Sequence, residues 1–241
     1  MTDEMKNIEI LKNNLAIDPI VTLRNLKYCY YLNRDNIHPR IAAEISYTAR
    51  FPKKKRKEFE NILDKFGEAQ INDKEKKNIE NSLEDNFLYY NEACIKAIYL
   101  ALITLRAGLN PLLIGERGSG LTTLSKFIAS MISKEYESLL CTSETTVEDL
   151  IGCYQPFIAK KPDIQDLSSY ITWCDGPIIR AGKKGVPVIL DNINYSKPQI
   201  IECLNPILEE NIKYNKVEYN ILEKENEGPI QMNKNLYFLL I

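Results

Sequence analysis

Between Ile114 and Thr123 the chain reads IGERGSGLTT, and the spacing of its glycines is that of a loop that holds phosphate. Such loops follow G-x-x-x-x-G-K-[ST]. Gly115 and Gly120 stand at the two glycine positions and Thr122 at the hydroxyl position, but Leu121 stands where the pattern has lysine. Glycines let the backbone turn its N–H groups toward an anion, and a helix starting at the loop adds its positive end. The candidate phosphate ligands are Gly115, Glu116, Arg117, Gly118, Ser119, Gly120, Leu121, Thr122 and Thr123. The lysine that Leu121 replaces makes a charge-assisted bond worth about 1.5–3 kcal/mol, which is about one to two powers of ten in affinity. Arg117 lies on the other side of the loop, and whether it substitutes for that charge stays open.

A second stretch, VPVILDNIN, is an apolar run ending in Asp191. An aspartate at the end of such a strand holds Mg²⁺ in phosphoryl-transfer enzymes of this design, directly or through water. Thr122 and Asp191 are therefore the candidate Mg²⁺ ligands. The position after the aspartate normally carries a glutamate that activates water, and here it is Asn192. An amide positions water but takes no proton, and loss of a general base costs typically two to four powers of ten in rate. With both the lysine and the base replaced, weak ATP and Mg²⁺ binding with very slow hydrolysis is the expectation. No residue is assigned a catalytic role.

These residues need a strand before the loop, a helix after it and a buried strand under Asp191. PLLIG reads as the first strand, LTTLSKFIASMISK as the helix, SLLCT as a strand, GPIIRAGKKG as a short helix and VPVIL as a central strand. KPQIIECLNPILEE reads as a further helix and LYFLLI as a last strand, with a hairpin excursion between them turning at Gly228-Pro229. Strands alternating with helices imply an α/β fold with a parallel sheet covered on both faces. The residues before this core read as helices. TLRNLKYCYYLNR carries Leu23, Leu26 and Tyr30 with Thr22 as N-cap. HPRIAAEISYTARF carries Ile41 and Ile45. KKKRKEFENILDKFG carries Phe59, Ile62, Leu63 and Phe66. The expected organisation is a helical subdomain over 1–70, a polar linker or solvated helix over 71–90, and a core over 91–241 that opens with the helix NEACIKAIYLALITLRAG, stopped by Gly108.

Bulk properties narrow the class. The chain has 241 residues, 44% hydrophobic and 27% charged, with a net charge of −2. That balance suits a globular protein and offers no basic field for nucleic acid. No apolar run reaches membrane-span length, and MTDEMKNIEI has no signal-peptide apolar core. Six cysteines without C-x-x-C spacing and one histidine argue for reduced thiols rather than a metal site. Trp173, the single tryptophan, is expected in core packing in the helix before the second nucleotide strand, and the acidic residues of SETTVEDLIG read either as part of a substrate-facing loop or as a helix cap with Thr146 as N-cap. PKKKRK, from Pro52 to Lys57, is either a solvated helix face or a nuclear import signal.

Taken in order, IGERGSGLTT, TSETTVEDLIGCYQP and WCDGPIIRAGKKGVPVILDNINYSKPQIIECLNPILEE resemble the AAA+ modules of the dynein-related, MoxR-like branch, and most closely the midasin family. Asp149, Leu150 and Gly152 match that family's T-D-x-x-D-L-x-G segment. Trp173, Asp175, Gly176 and Ala181 match its W-x-D-G-x-L-x-x-A segment. Leu190, Asp191, Asn192, Asn194, Leu204, Asn205, Leu208 and Glu209 match its L-D-N motif and the helix after it. The likeness covers about Gly108 to Ile241, and the amino-terminal helices resemble a midasin-type lid. The resemblance implies a P-loop AAA+ core, incomplete at its C-terminus and preceded by the lid of a previous module, so that the chain is a piece of a longer protein, a split gene product or a remnant. It also implies neighbouring AAA+ modules in the same or another chain as partners, pre-ribosomal particle proteins of large-subunit maturation as further partners, and a nuclear location in nucleolus or nucleoplasm. Neither direct nucleic-acid binding nor a membrane is expected. Three readings remain: a degenerate module transmitting conformational change in a ring, an ATP-hydrolysing module completed by its neighbours, and a nucleotide-free adaptor.

Overall fold

The computed structural model describes residues 23–35, 37–47, 61, 63–64, 71, 73–156, 171–208, 217–221 and 228–241. The chain divides into two compact units, Met1–Leu109 and Asn110–Ile241. Thr22, Phe59, Ile62, Phe66, Glu209 and the basic run 52–57 lie outside the described residues. Among the described residues no helix is long and apolar enough to cross a membrane.

The first unit is helical. Helix α1 spans Leu23–Arg34 and α2 spans Pro39–Tyr47. Their core is Cys29, Leu32, Ile41, Ala42 and Ala43, whereas Tyr30, expected inward, is 46% exposed. Its neighbours at 29 and 32 form the buried stripe instead, which leaves the phenol in water. The segment 71–90, expected as a linker or a solvated helix, carries α3 at Asp73–Asp85. Ile79 and Leu83, one turn apart, are buried at 2% and 1%. A nearly all-polar helix thus docks through two apolar side chains. Helix α4, Glu92–Arg106, starts where the Asn91 side chain accepts the N–H of Cys94 at 2.8 Å. It ends in a turn in which Gly108 takes φ +73°. Ion pairs of 2.6 Å from Arg106 to Glu75 and 2.7 Å from Lys96 to Glu44 tie α4 to α3 and α2. By compactness α4 belongs to this unit, and the second begins after Leu109 rather than at Asn91.

The second unit is the expected α/β core. Strand β1 is Glu137–Leu140, β4 is Pro187–Asp191 and β7 is Tyr237–Leu240. They form a parallel sheet with β4 in the middle. Residues 111–113 continue the sheet beyond β7, where Leu113 N–H donates to Leu240 O at 2.8 Å and Leu240 N–H to Pro111 O at 3.1 Å. The apolar run PLLIG predicts a buried strand here. The stretch makes only one bridge, Leu112 to Leu240, and Leu112 is 54% exposed. Pro111 donates no ladder bond, and no further described strand pairs with its outer edge. Helix α5 is Leu121–Ile132, α6 is Val147–Ile151, α7 is Pro177–Lys184 and α8 is Pro198–Leu208. A short pair, β5 at Glu218–Tyr219 with β6 at Ile230–Gln231, forms the expected excursion. The core gathers Leu150, Ile178, Ile179, Val188, Leu190, Leu204 and Phe238, all at 0% exposure.

An antiparallel hairpin, β2 (Gly152–Pro156) with β3 (Ile171–Asp175), has no counterpart in the sequence reading. Trp173, assigned there to a helix, lies on β3. It packs edge-on to Tyr154 with ring centroids 5.2 Å apart. The base of this hairpin is a tight joint. Thr146 and Asp149 form a reciprocal capping box at the start of α6, the cap reading of that segment. Asp175 accepts from Trp173 Nε1 at 2.9 Å and from Lys183 Nζ at 2.5 Å. Arg180 donates from Nη1 to Asp175 O at 2.7 Å, and its Nε and Nη2 make a two-point contact with the Glu137 carboxylate at 3.1 and 2.8 Å. A Cβ on Gly176 would lie 2.3 Å from Leu150 O, and one on Gly152, at φ +128°, 2.3 Å from Cys174 O.

The joint gives two measurable outcomes. Gly176→Ala forces backbone apart and lowers stability by about 1–3 kcal/mol. Gly228→Ala, which meets nothing within 4 Å, stays within about 0.5 kcal/mol. Urea midpoints of the two variants check this. The Arg180 hydrogen bond holds Glu137 below the usual carboxylate range. A depressed carboxylate contributes stability above its unfolded value and loses it as pH falls through the folded one. Arg180→Met therefore flattens the acid limb of the stability curve between about pH 5 and 3. The size is below about 1 kcal/mol, because the pair is partly solvated. Denaturant titrations across that range measure it.

Candidate functional site

The loop of residues 115–120 runs between the stretch 111–113 and α5. Gly118 and Gly120 sit at φ +80° and +81°, and a Cβ on either would meet nothing within 4 Å. Only glycine holds such torsions at no steric cost, so the two residues shape the backbone rather than make room for a neighbour. Ser119 N–H donates to Glu116 O at 3.1 Å and closes a turn. A Cβ on Gly115 would meet Ser119 Oγ at 2.8 Å and the Leu121 methyl carbons at 3.3 and 3.4 Å. The loop is therefore curled on itself, with the Leu121 side chain folded back beneath it. Helix α5 begins after Gly120 with no side-chain cap, so its first-turn N–H groups are available to an anion. The helix is anchored by Phe127, Ile128 and Ala129 in the core, and the buried Ser125 hydroxyl is satisfied within it by Thr122 O at 2.9 Å.

Facing the loop is the carboxyl end of β4. All five β4 residues are buried, and Asp191, at 8% exposure, is the one buried charged residue among the described residues. Its backbone carbonyl accepts from Cys141 N–H at 2.8 Å, and its Oδ2 accepts from Thr122 Oγ1 at 2.7 Å. The two residues singled out for Mg²⁺ thus meet, although they lie 69 positions apart. After Asp191 the chain turns through Asn192, at φ +59° and ψ +38°, into a 3₁₀ turn at Ile193–Tyr195. Ile193 N–H donates to Ile241 O at 2.9 Å and pins that turn to the end of β7. Asn192 is exposed, with its side chain on the pocket wall.

Loop, helix start and turn enclose a pocket of about 940 Å³. Residues Gly115 to Thr122, Asp191 and Asn192 all line it, while Thr123, exposed on the first turn of α5, does not. Arg117 crosses to the far wall, where its Nη2 donates to the Tyr195 hydroxyl. Tyr195 is not among the residues that the sequence marks. Its one signal is an aromatic residue three positions beyond Asn192, with no spacing rule to mark it. Among the described residues no cluster of three or more His, Cys, Asp or Glu is arranged to hold a metal. Burial pushes the Cys141 and Cys203 thiols up, away from reactive thiolate.

Residues 110–241 match the family model described as AAA domain, dynein-related subfamily. That is more than half of the chain. The chain belongs to this AAA family. The uncharacterized protein YojN of Bacillus subtilis is 32% identical over 112 residues, covering 46% of this chain and 35% of YojN. An uncharacterized protein of Staphylococcus saprophyticus is 30% identical over 100 residues, covering 42% of this chain and 36% of the relative. The chain spans about a third of the length of these curated relatives. A crystal structure of a protein named only provisionally as an ATPase, from Cytophaga hutchinsonii, aligns over 69% of this chain and 44% of that one, at 14% identity and a TM-score of 0.41. A likeness of that size adds nothing to the assignment.

AAA+ proteins generally use ATP and Mg²⁺, and the pocket of this AAA module fits part of that requirement. The uncapped α5 start and the left-handed glycines suit a phosphate chain, and the Thr122–Asp191 pair suits a hard divalent cation. The lysine position is apolar and the base position is an amide. If Thr122 holds the nearly buried Asp191 carboxylate in place, then Thr122→Val, which removes its one side-chain hydrogen bond, costs about 1–3 kcal/mol. Thr122→Ser keeps the bond and stays within about 1 kcal/mol. Thermal unfolding without nucleotide separates the two.

Proposed function

We propose that the second unit is a nucleotide-responsive AAA+ module that binds ATP·Mg²⁺ weakly and does not turn it over. The observation that carries this reading is the split within one pocket. The backbone anion site and the Thr122–Asp191 pair are in place, while Leu121 and Asn192 occupy the positions that supply charge and base. Thr122 and Asp191 would hold Mg²⁺, and the first-turn amides of α5 would orient the phosphates. Bound Mg²⁺ would neutralise phosphate charge. Asn192 would hold a water by hydrogen bonding without accepting its proton.

In a ring of AAA+ modules such a unit passes conformational change between hydrolysing neighbours. A midasin-type role in large ribosomal subunit maturation, with pre-ribosomal proteins as partners, is supported by the matched positions from Asp149 to Leu208 and by Asn192. A nuclear location is supported by that family likeness and by PKKKRK. The bacterial relatives speak to neither, being uncharacterized.

Titration of the chain with ATP and Mg²⁺ tests the central claim. Leu121→Lys should tighten binding about 10- to 100-fold, the equivalent of one charge-assisted hydrogen bond, because a lysine stem can follow the path the leucine side chain takes under the loop. Neither protein should hydrolyse ATP above background. Turnover by the wild type that vanishes in Asp191→Ala would overturn the reading.

A further inference from the structure

We propose that Arg117, braced by the Tyr195 hydroxyl, is the cation that meets the outer phosphates of a nucleoside polyphosphate in this pocket, the role that Leu121 leaves open. The inference rests on the pocket being a nucleotide site and adds to it the residue that reads the ligand's charge.

The pocket is short of positive charge. Among the residues lining it, Glu116 and Asp191 are acidic and Arg117 is the one cation. A nucleoside triphosphate carries several negative charges, of which one Mg²⁺ neutralises two. The start of α5 contributes only about half a positive charge. The lining side chains sum to −1 with Arg117 and would sum to −2 without it.

Arg117 sits two residues after Gly115 on the exposed lip of the loop, and its guanidinium is held by a hydrogen bond rather than left without a partner. It spans the pocket to Tyr195, 78 positions away, in the turn that follows Asp191. Tyr195 is 46% exposed and presents its hydroxyl on the opposite wall. The turn that carries it is fixed to β7 by the bond from Ile193 N–H to Ile241 O, so the brace is anchored to the sheet. A guanidinium has five N–H donors. One is used on Tyr195, and the others have no partner among the described residues. A planar, always charged group held across a pocket with spare donors suits phosphate oxygens, and its fork engages two oxygens at once.

The arrangement also ties two walls of the pocket together. The loop and the turn after β4 share one hydrogen bond, and a phosphate that engages the remaining donors adds a third party to it.

The test is a double-mutant cycle on ATP·Mg²⁺ binding to the full chain, with folding checked by circular dichroism and thermal melts. Arg117→Met should weaken binding about 10- to 100-fold in the wild-type background, the loss of one to two charge-assisted bonds. In the Leu121→Lys background the same change should cost far less, because the new ammonium takes over the same phosphates. Inorganic tripolyphosphate should compete with ATP for the wild type and lose that ability in Arg117→Met. If ATP binds the wild type and folded Arg117→Met equally, the role of Arg117 is overturned while the nucleotide site stands. If Arg117→Met costs the same in both backgrounds, Arg117 shapes the loop rather than replacing the lysine, and the proposal fails. If neither the wild type nor Leu121→Lys binds ATP, the nucleotide reading itself fails and takes this inference with it.

Discussion

Strand β4 is buried at every residue and hydrogen-bonded on both edges, and the placement of the site follows from that constraint. Val188, Ile189 and Leu190 are fully buried. β1 runs in register from Glu137 opposite Val188 to Leu140 opposite Asp191, and β7 runs from Tyr237 opposite Pro187 to Leu240 opposite Leu190. Burying such side chains stabilises by about 1.5–3 kcal/mol each, so the strand has one position and one register. Asp191 is the last residue of this fixed element, and α5 packs against the same strand. The Thr122–Asp191 bond is then a consequence of two rigid parts meeting rather than of a flexible loop finding a partner.

What is legible in the sequence tracks how local its cause is. VPVIL announces a central strand because a short unbroken apolar run ending in a charge suits a buried strand and little else. Helices α5, α7 and α8 announce themselves by period, and Gly108 marks the end of α4 by its torsion. The β2–β3 hairpin is not legible, because its strands are separated by a long segment and its paired residues follow no alternation strong enough to outweigh the motif reading of the same letters. Ile79 and Leu83 are visible at helical spacing, but the surrounding charges mask two side chains that suffice to dock a helix. In the site, the spacing of Gly115, Gly120, Thr122 and Asp191 identifies residues that do converge. Tyr195 is invisible because its role comes from an arginine 78 positions upstream, a relation that only the fold creates.

Much of the family-like signature in this chain follows from packing. Gly152 and Gly176 lie back to back, each with no room for a Cβ against backbone. Asp175 serves Trp173 and Lys183, and Asp149 closes the capping box with Thr146. These residues build the joint that seats α6, α7 and the hairpin on β1 and β4. They would be required in this fold whether or not nucleotide is ever hydrolysed. Sequence likeness across the segment is thus strong evidence for architecture and weak evidence for catalysis, on which the residues that stand at 117, 121 and 192 bear more directly.

Those three positions separate two kinds of chemistry. A phosphate site of this design draws mainly on backbone N–H groups, which no side-chain replacement removes as long as Gly118 and Gly120 keep their torsions. Charge neutralisation and proton abstraction draw on side chains, which single substitutions delete. A loop of this design therefore loses hydrolysis before it loses its shape. The torsion at Asn192 reinforces the point. Asparagine tolerates the left-handed region better than most residues, because its short amide bonds locally to the backbone. A glutamate at φ +59° would carry a backbone penalty along with its catalytic carboxylate. The turn that carries Tyr195 toward Arg117 starts from that torsion, so the geometry that favours a non-basic amide at position 192 is the same geometry that delivers the brace for the pocket's one cation.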